Sequence, residues 1–243
     1  NTFKRDSALK LLNWISYKYG FGTYLHLIDG YYSKKTTEQA KIELDRLLSN
    51  LDTSNQVYID TLISPSTTSA IAQSIQTPGI AGMENNMVIF EYMKSEPEND
   101  LNDIMTNFRM VNAGGFDVCI LGTSRKPILY KNGIHIWVSR FDTESTNLMI
   151  LLGFIIMGHP SWKKANIKIF NICYAHEIDE IKQNMYELIN SGRMPITETN
   201  IEIIERDEHI SVKEIINQRS IDAGLTMIGF NENTFKVEGD FSF

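Results

Sequence analysis

The sequence predicts an α/β fold made of two related lobes, each with a mainly parallel sheet and flanking helices. Three observations carry this prediction. Short apolar runs alternate with longer amphipathic segments, the alternation is interrupted once near the middle of the chain, and it then starts again in the same order. Strands that alternate with helices of about 10–15 residues are typical of βαβ units, in which the strands run parallel.

The first half contains four predicted helices and four predicted strands. The helix at 7–20 has apolar residues at helical spacing, with Asp6 or Ser7 as its N-cap and Gly20 or Gly22 near its end. The segment "TTEQAKIELDRLLSN" is rich in good helix formers. The remaining elements are strands at 23–28, 56–63, 86–92 and 116–122, and helices at 36–50, 66–76 and 99–113.

The pattern starts again after "TSRKPILYKNG". We predict strands at 134–140, 165–174, 199–206 and 225–230, and helices at 145–158, 177–191 and 211–219. The run "LMILLGFIIM" in the first of these helices is shorter than the roughly 20 apolar residues that a membrane span needs. We therefore expect this helix, apolar nearly all round, to be buried on the sheet of the second lobe.

The two halves also match each other in sequence. "KLLNWIS" corresponds to "ILLGFII" at an offset of 140 (150 − 10), and "MVIF" to "MIGF" at 140 (227 − 87). Ile28 corresponds to Ile172 and Val57 to Ile201, both at 144 (172 − 28 and 201 − 57). An offset that changes only in loops predicts an internal duplication, with lobes at 1–125 and 126–243 that join near 126–133.

The comparison of the halves predicts that elements are missing at both ends. The second lobe begins with a strand, whereas the first has no room for one before Asp6. Conversely, the first lobe ends with a helix and a strand, whereas the tail "NENTFKVEGDFSF" of the second carries no comparable helix, so its last helix and strand are missing or disordered. We expect the sequence to be part of a longer chain.

Composition limits the classes of partner. The net charge of −7 argues against nucleic acid, which requires a basic face, and in the same way against a membrane surface. The two cysteines, Cys119 and Cys173, each lie inside an apolar strand without a CxxC spacing, so we expect reduced thiols in the core.

The stretch "TPGIAGMENNMVIFEY" raises the question of a phosphate-binding loop. Such loops follow a strand and open a helix, but here the predicted order is helix, glycines, strand. Pro78 and Gly79 suit the end of a helix, with Gly79 or Gly82 free to adopt a positive φ. We therefore interpret the stretch as a turn.

Other signals of chemistry are weak. "HEIDE" lacks the second histidine of a zinc helix and is interpreted as a helix start whose acidic residues suit the helix dipole. His26 and His135 alternate within strands and are interpreted as surface or satisfied core residues. No nucleophile–base or metal-ligand spacing occurs, so we assign no catalytic, cofactor-binding or metal residue and expect no cofactor.

The order of several motifs resembles the cation–chloride cotransporters. "NGIHIWVSRFDTESTNLMILLGFIIMGHPSWKKANIKIFNI" resembles the family's strand ending in tryptophan (here Trp137), apolar helix, lysine–tryptophan–lysine-like turn ("SWKKA") and strand ("IKIF"). "TPGIAGMENNMVIFEY" is similar to the family's glycine-rich turn, with its proline replaced, and "ALKLLNWISYKYGFGTYLHLIDG" is similar to the first cytosolic helix and strand. The resemblance covers about residues 6–230.

This resemblance implies the C-terminal cytosolic regulatory domain of a prokaryotic-type cotransporter that moves chloride with sodium or potassium. It implies two lobes similar to universal stress proteins, a homodimer, and a transmembrane transport domain in the same polypeptide, at the cytoplasmic face of the membrane. The family's ion-binding residues lie in the membrane domain, so no site residue is transferred to this chain. Universal stress proteins bind ATP through a glycine loop after a strand, but "VCILGTSRKP" and "FNICYAHE" lack its paired glycines.

Three hypotheses remain at this point. The first is a non-enzymatic regulatory and dimerising domain of a secondary transporter. The alternative is a stand-alone tandem universal-stress-like protein that senses a nucleotide. The third, an enzyme, would need a group of catalytic residues that the sequence does not show.

Overall fold

The structure of the chain is a computed structural model that describes residues 7–49, 57–77, 84–95, 97–124, 126–138, 143–190 and 196–230. Within these ranges every predicted helix and strand is present in the predicted order, which confirms the α/β fold class. The chain divides into two compact units, residues 1–126 (unit 1) and 127–243 (unit 2).

Unit 1 alternates helices with strands. Its helices are α1 (Ser7–Tyr19), α2 (Lys34–Ser49), α3 (Thr67–Gln76) and α4 (Pro97–Ala113), and its strands are β1 (Gly22–Asp29), β2 (Val57–Ser64), β3 (Met87–Met93) and β4 (Asp117–Thr123). Helix α1 stops just before Gly20, as predicted, whereas Gly22 is already the first residue of β1. The predicted N-cap Asp6 lies outside the described residues, as do Gly79 and Gly82.

Among the described residues of unit 1, the strands form two parallel pairs, whereas the sequence predicts one sheet for the whole lobe. Strand β1 pairs in parallel with β2, and β3 pairs in parallel with β4. Helix α1 contacts β1, β2 and β3, so the two sheets lie against the same helix. Within the described part of unit 1, no strand hydrogen-bonds to both β1 and β3.

Unit 2 has one continuous sheet. Its strands are β5 (Ile134–Val138), β6 (Ile167–Cys173), β7 (Ile201–Glu205) and β8 (Leu225–Ile228), and its helices are α5 (Thr143–Met157), α6 (Ile178–Asn190) and α7 (Val212–Ser220). The strand order is β7-β6-β5-β8, with every pair parallel. Strand β5 is therefore central and is buried along its whole length.

The two faces of this sheet pack against different helices. On one face, Trp137 stacks on Phe170 with ring centroids 4.6 Å apart, and both pack against Ile215 of α7. On the other face α5 approaches closely, since a Cβ on its Gly153 would lie 3.0 Å from Cδ1 of Ile136. A bulkier residue than glycine would therefore push α5 away from the sheet.

Helix α5 packs on the sheet of unit 2, as predicted, and its outer side is partly exposed. Met149, Ile150 and Ile156 are buried, whereas the side chain of Leu151 is 53% exposed. The helix is apolar on all sides in sequence, but the sheet of unit 2 covers only the side that carries Ile150 and Gly153. The apolar composition of a helix alone does not show which of its sides is covered by the rest of the protein.

The strand registers correct one of the sequence matches between the halves. Ile28 pairs with Ile63 in unit 1, and Ile172 pairs with Ile204 in unit 2. If β1 corresponds to β6 at the predicted offset of 144 (172 − 28), then β2 corresponds to β7 at 141 (204 − 63), and the match of Val57 with Ile201 is displaced by three residues. The order of elements repeats, and the duplication itself stays a prediction.

Candidate functional site

In parallel α/β sheets the usual ligand site is the crevice at the carboxyl ends of the strands, where the strand order reverses. In unit 2 the chain steps from β5 to β6 and β7 in one direction and then places β8 on the other side of β5. The switch point therefore lies between the ends of β5 and β8. Residues 139–142, which follow β5, and residues 231–243 lie outside the described residues.

The described polar side chains beside this crevice make hydrogen bonds that hold strands and turns in place. Asn171 is buried, and its Nδ2 donates a hydrogen bond of 3.3 Å to the carbonyl oxygen of Val138, which links the ends of β6 and β5. The carboxylate of Glu177 accepts a hydrogen bond of 2.9 Å from the backbone N–H of Tyr174 and caps the turn that opens α6. The structure thus confirms that "HEIDE" begins a helix.

An exposed stack of three side chains lies at the carboxyl ends of β6 and β7. The guanidinium carbon of Arg206 lies 5.1 Å from the ring centroid of Tyr174, and that ring stacks on His176 with centroids 5.8 Å apart. This group offers positive charge and aromatic surface, but its partners already stack on one another. It contains no acid–base pair that would indicate a reaction.

Unit 2 also contains a contact between a hydroxyl and an imidazole that sequence spacing could not reveal. Nδ1 of His135 lies 2.9 Å from Oγ of Ser220, and Nε1 of Trp137 donates a second hydrogen bond of 2.9 Å to the same oxygen. These hydrogen bonds link the end of α7 to β5. Because Ser220 Oγ accepts from the indole, and His135 is buried beneath the helix, the arrangement suits a structural link better than a nucleophile with its base.

The two cysteines each lie in a strand, one in each unit. Cys119 in β4 and Cys173 in β6 are free thiols, as expected, although Cys119 is only partly buried. Burial raises the pKa of Cys119 to about 11. Burial also raises the pKa of Cys173, and the carboxylates of Glu177 and Glu205 add to that effect. Such thiols are poor nucleophiles at neutral pH.

The described ranges contain no group of three or more His, Cys, Asp or Glu residues able to hold a metal ion. A shallow depression of about 530 Å³ lies on unit 2 beside the loops that precede β5 and β6, and its rim includes Lys131, Lys163 and Lys164. It sits at the amino ends of these strands, opposite the edge that usually binds ligands.

The glycine stretch lies between a helix and a strand, as predicted. Helix α3 ends at Gln76 and β3 begins at Met87, while residues 78–83 between them lie outside the described residues. The order of elements is therefore opposite to that of a phosphate-binding loop, in which a strand leads into a helix.

Burial lowers the pKa of three histidines, and this predicts a pH dependence of stability. For His26 the nearby Glu43 opposes the effect and Arg46 adds to it, whereas for His135 Lys168 adds and Glu202 opposes. His159 is affected by burial alone. A lowered folded-state pKa means that the unfolded chain, with a histidine pKa near 6.5, binds more protons. The contribution of these neutral histidines to the free energy of unfolding should therefore be fully present above about pH 6.5. It should be lost as the pH decreases below that value.

Urea denaturation at about pH 7.5, 6.5 and 5.5 measures this dependence. The double substitution His26→Gln and His135→Gln should make stability less dependent on pH over this range. The matched control is His209→Gln, which makes the same chemical change at an exposed position. The explanation fails if the double variant has the same pH dependence as the parent chain.

The fold and the site together define the structural class of the protein. The chain is an α/β protein with parallel sheets and flanking helices in two units, whose described residues show polar groups used mainly for structure. No described helix has the length and apolar character needed to cross a membrane.

Comparison with known proteins shows which of them this chain is similar to. No protein-family model matches the chain, and no curated protein matches its sequence. Among solved structures, the cytoplasmic domain of a prokaryotic cation chloride cotransporter is similar with a TM-score of 0.64 and 13% identity, over 95% of this chain and 83% of that one. A protein from Pseudomonas aeruginosa UCBPP-PA14 that is described as a universal stress protein is similar with a TM-score of 0.54 and 14% identity, over 92% of this chain and 77% of that one. These likenesses show a shared fold of the universal-stress-protein type.

Proposed function

We propose that the chain is a non-enzymatic cytosolic regulatory and dimerisation domain of a secondary transporter that moves chloride together with sodium or potassium. The observation that carries the proposal is the likeness to a cotransporter cytoplasmic domain across 95% of this chain, which includes both units. The sequence resemblance supports it independently, because the strand with Trp137, the apolar helix α5 and the "SWKKA" turn occur in the order of that family.

The chemistry of the described residues supports a role without catalysis. Buried polar side chains such as Asn171 and Glu177 are used in hydrogen bonds that close turns or link strands. A regulatory domain needs a contact with two alternative arrangements, and it does not need a reactive centre. In this proposal the domain forms a C2 homodimer, the commonest symmetric assembly, and binds neither nucleic acid nor a cofactor.

Deletion of residues 1–243 from the full-length transporter tests the regulatory role. We expect ion flux per transporter at the membrane to change, because two transport units would lose their common contact. A control in which an unrelated soluble domain of similar size replaces these residues separates regulation from effects on delivery. Unchanged flux in protein that demonstrably reaches the membrane contradicts the proposal.

Sedimentation velocity over a concentration series tests the dimer. We expect a monomer–dimer equilibrium that shifts towards dimer as concentration rises, since attachment to a membrane portion would raise the effective concentration in the intact protein. A chain that remains monomeric up to about 1 mM, the range that short tethers supply, speaks against self-association.

The alternative is a nucleotide-sensing protein, which the likeness to a universal stress protein favours. The two functions differ in their response to ATP. A ligand at 100 times its Kd stabilises a protein by about 2.7 kcal/mol, which raises Tm by several degrees for a chain of this size. Our proposal predicts no rise in Tm with millimolar ATP beyond that seen with inorganic tripolyphosphate. A rise specific to ATP favours the sensor.

A further inference from the structure

Helix α5 carries an apolar stripe on a side other than the one that packs on the sheet of unit 2. The stripe consists of Leu148, Leu151, Leu152 and Ile155, whose spacing of three and four residues places them on one side of the helix. The side chain of Leu151 is 53% exposed, and the other three are half-buried. A continuous apolar surface of this kind marks a contact with another molecule, whereas scattered apolar residues do not.

The stripe also lacks charged neighbours. Residues 145–162, which contain the stripe, include no Asp, Glu, Lys or Arg. By contrast, the exposed Ile42 of α2 has Asp45 three residues further along the same helix. The exposed side of α5 is therefore uncharged as well as apolar.

Charge and symmetry favour a second copy of this chain as the partner. The chain has a net charge of −7, so two copies repel each other wherever acidic surfaces face. A two-fold contact uses the same patch twice and must complement itself, which an uncharged apolar stripe does. A helix that lies on a membrane surface carries Lys and Arg on its polar side, and α5 has neither.

The size of the stripe limits the strength of the contact. A helix of 15 residues is about 22 Å long and about 10 Å wide, so one side of α5 offers roughly 200 Å². A stable complex buries about 800 Å² on each partner. The stripe alone therefore supports a weak dimer, which leaves dilute protein monomeric and forms as the concentration rises.

We propose that this stripe is the dimer contact, with α5 of one copy packed antiparallel on α5 of a second copy. The two-fold axis passes beside Leu151, and Leu148 of each copy meets Ile155 of the other. The antiparallel arrangement places the positive end of each helix dipole beside the negative end of the other. This inference rests on the proposed homodimer and adds the surface through which the copies meet.

Disulfide crosslinking tests the position of the axis. Packed helix axes lie 8–10 Å apart, so the Cα atoms of the two Leu151 residues lie about 4–6 Å apart, a separation that suits a disulfide. Those of the two Leu148 residues lie about 10 Å apart along the helices, which is too far. Under copper-catalysed oxidation, Leu151→Cys should give at least about ten times more covalent dimer than Leu148→Cys. Equal crosslinking of the two variants overturns the antiparallel contact.

Sedimentation velocity tests the stripe itself. Leu151→Asp should raise the dissociation constant of the dimer at least about tenfold, because two like charges then meet at the axis. The matched control is Ile42→Asp, which makes the same change at another exposed position of a helix and should leave the constant unchanged.

The outcomes separate the stripe from the proposed homodimer. A parent chain that dimerises, with the same dissociation constant in Leu151→Asp, overturns the stripe and leaves the homodimer intact. A parent chain that stays monomeric contradicts the homodimer and the stripe together. Co-sedimentation of a monomeric parent with phosphatidylcholine vesicles, lost in Leu151→Asp, also overturns the proposal, because a lipid surface then covers the stripe.

Discussion

Replacing Gly133 by alanine should lower the free energy of unfolding of unit 2 by about 3 kcal/mol or more. Gly133 has φ 85° and ψ −170°, a combination that only glycine adopts readily. A Cβ at this position would also collide with the carbonyl oxygen and the side-chain Oδ1 of Asn166. The two penalties are independent, so the loss exceeds that of an ordinary glycine replacement.

Gly133 matters because three strands begin beside it. Its carbonyl oxygen accepts hydrogen bonds of 3.0 Å and 3.3 Å from the N–H groups of Gly224 and Leu225, where β8 starts. The next residue, Ile134, donates a hydrogen bond of 2.9 Å to the carbonyl oxygen of Asn166, just before β6. A backbone shift at Gly133 would therefore disturb the pairing of β5 with both of its neighbours.

Chemical denaturation followed by tryptophan fluorescence measures this effect, since Trp14 lies in unit 1 and Trp137 and Trp162 lie in unit 2. Gly115→Ala is the matched control. Gly115 also has a positive φ of 79°, but a Cβ there would meet nothing within 4 Å, so only the backbone penalty of about 1–2 kcal/mol applies. Equal losses for the two variants would show that the collision with Asn166 has no energetic consequence.

Replacing Ile150 by alanine should cost about 2–5 kcal/mol, the range for removing a large buried aliphatic side chain. Ile150 is 0% exposed and lies on the buried side of α5. The substitution removes apolar contacts and leaves a cavity that a close-packed sheet and helix can fill only partly.

The adjacent residue supplies the control. Leu151 is on the same helix, but its side chain is 53% exposed, so Leu151→Ala should change stability by no more than about 0.5 kcal/mol. Both free energies are measured by urea denaturation on the full chain. If Leu151→Ala costs as much as Ile150→Ala, a partner covers the outer side of α5 in solution, and the measured oligomeric state would identify a second copy as that partner.

Local signals in the sequence were sufficient for the elements and their order. The helix predicted at 211–219 appears as α7, because Ser211 and Glu214 form a capping box that is readable from four neighbouring residues. The strand predicted at 134–140 appears as β5, whose apolar residues form a short run bounded by a glycine. Such features depend on residues close together in the chain.

Contacts between distant residues were not predictable in the same way. Ser220 meets His135 and Trp137 across more than 80 residues, and no spacing rule connects them. The pairing of Ile172 with Ile204, which displaces the match of Val57 with Ile201 by three residues, is also a contact between distant parts of the chain. A strand can slide along its neighbour without changing its own apolar pattern, provided that the correct face stays buried.

The sequence by itself determined the α/β class, the alternation of helices and strands, and the role of the glycine stretch as a connection from helix to strand. These follow from periodicity and from local turn and capping residues, whose effects extend over only a few positions. Only the tertiary structure decided how the described strands of unit 1 pair, that α5 buries the side of Ile150 and exposes Leu151, and that Gly133 must be glycine. Each of these depends on which distant backbone or side chain occupies the neighbouring space, and close packing makes that a property of the whole unit.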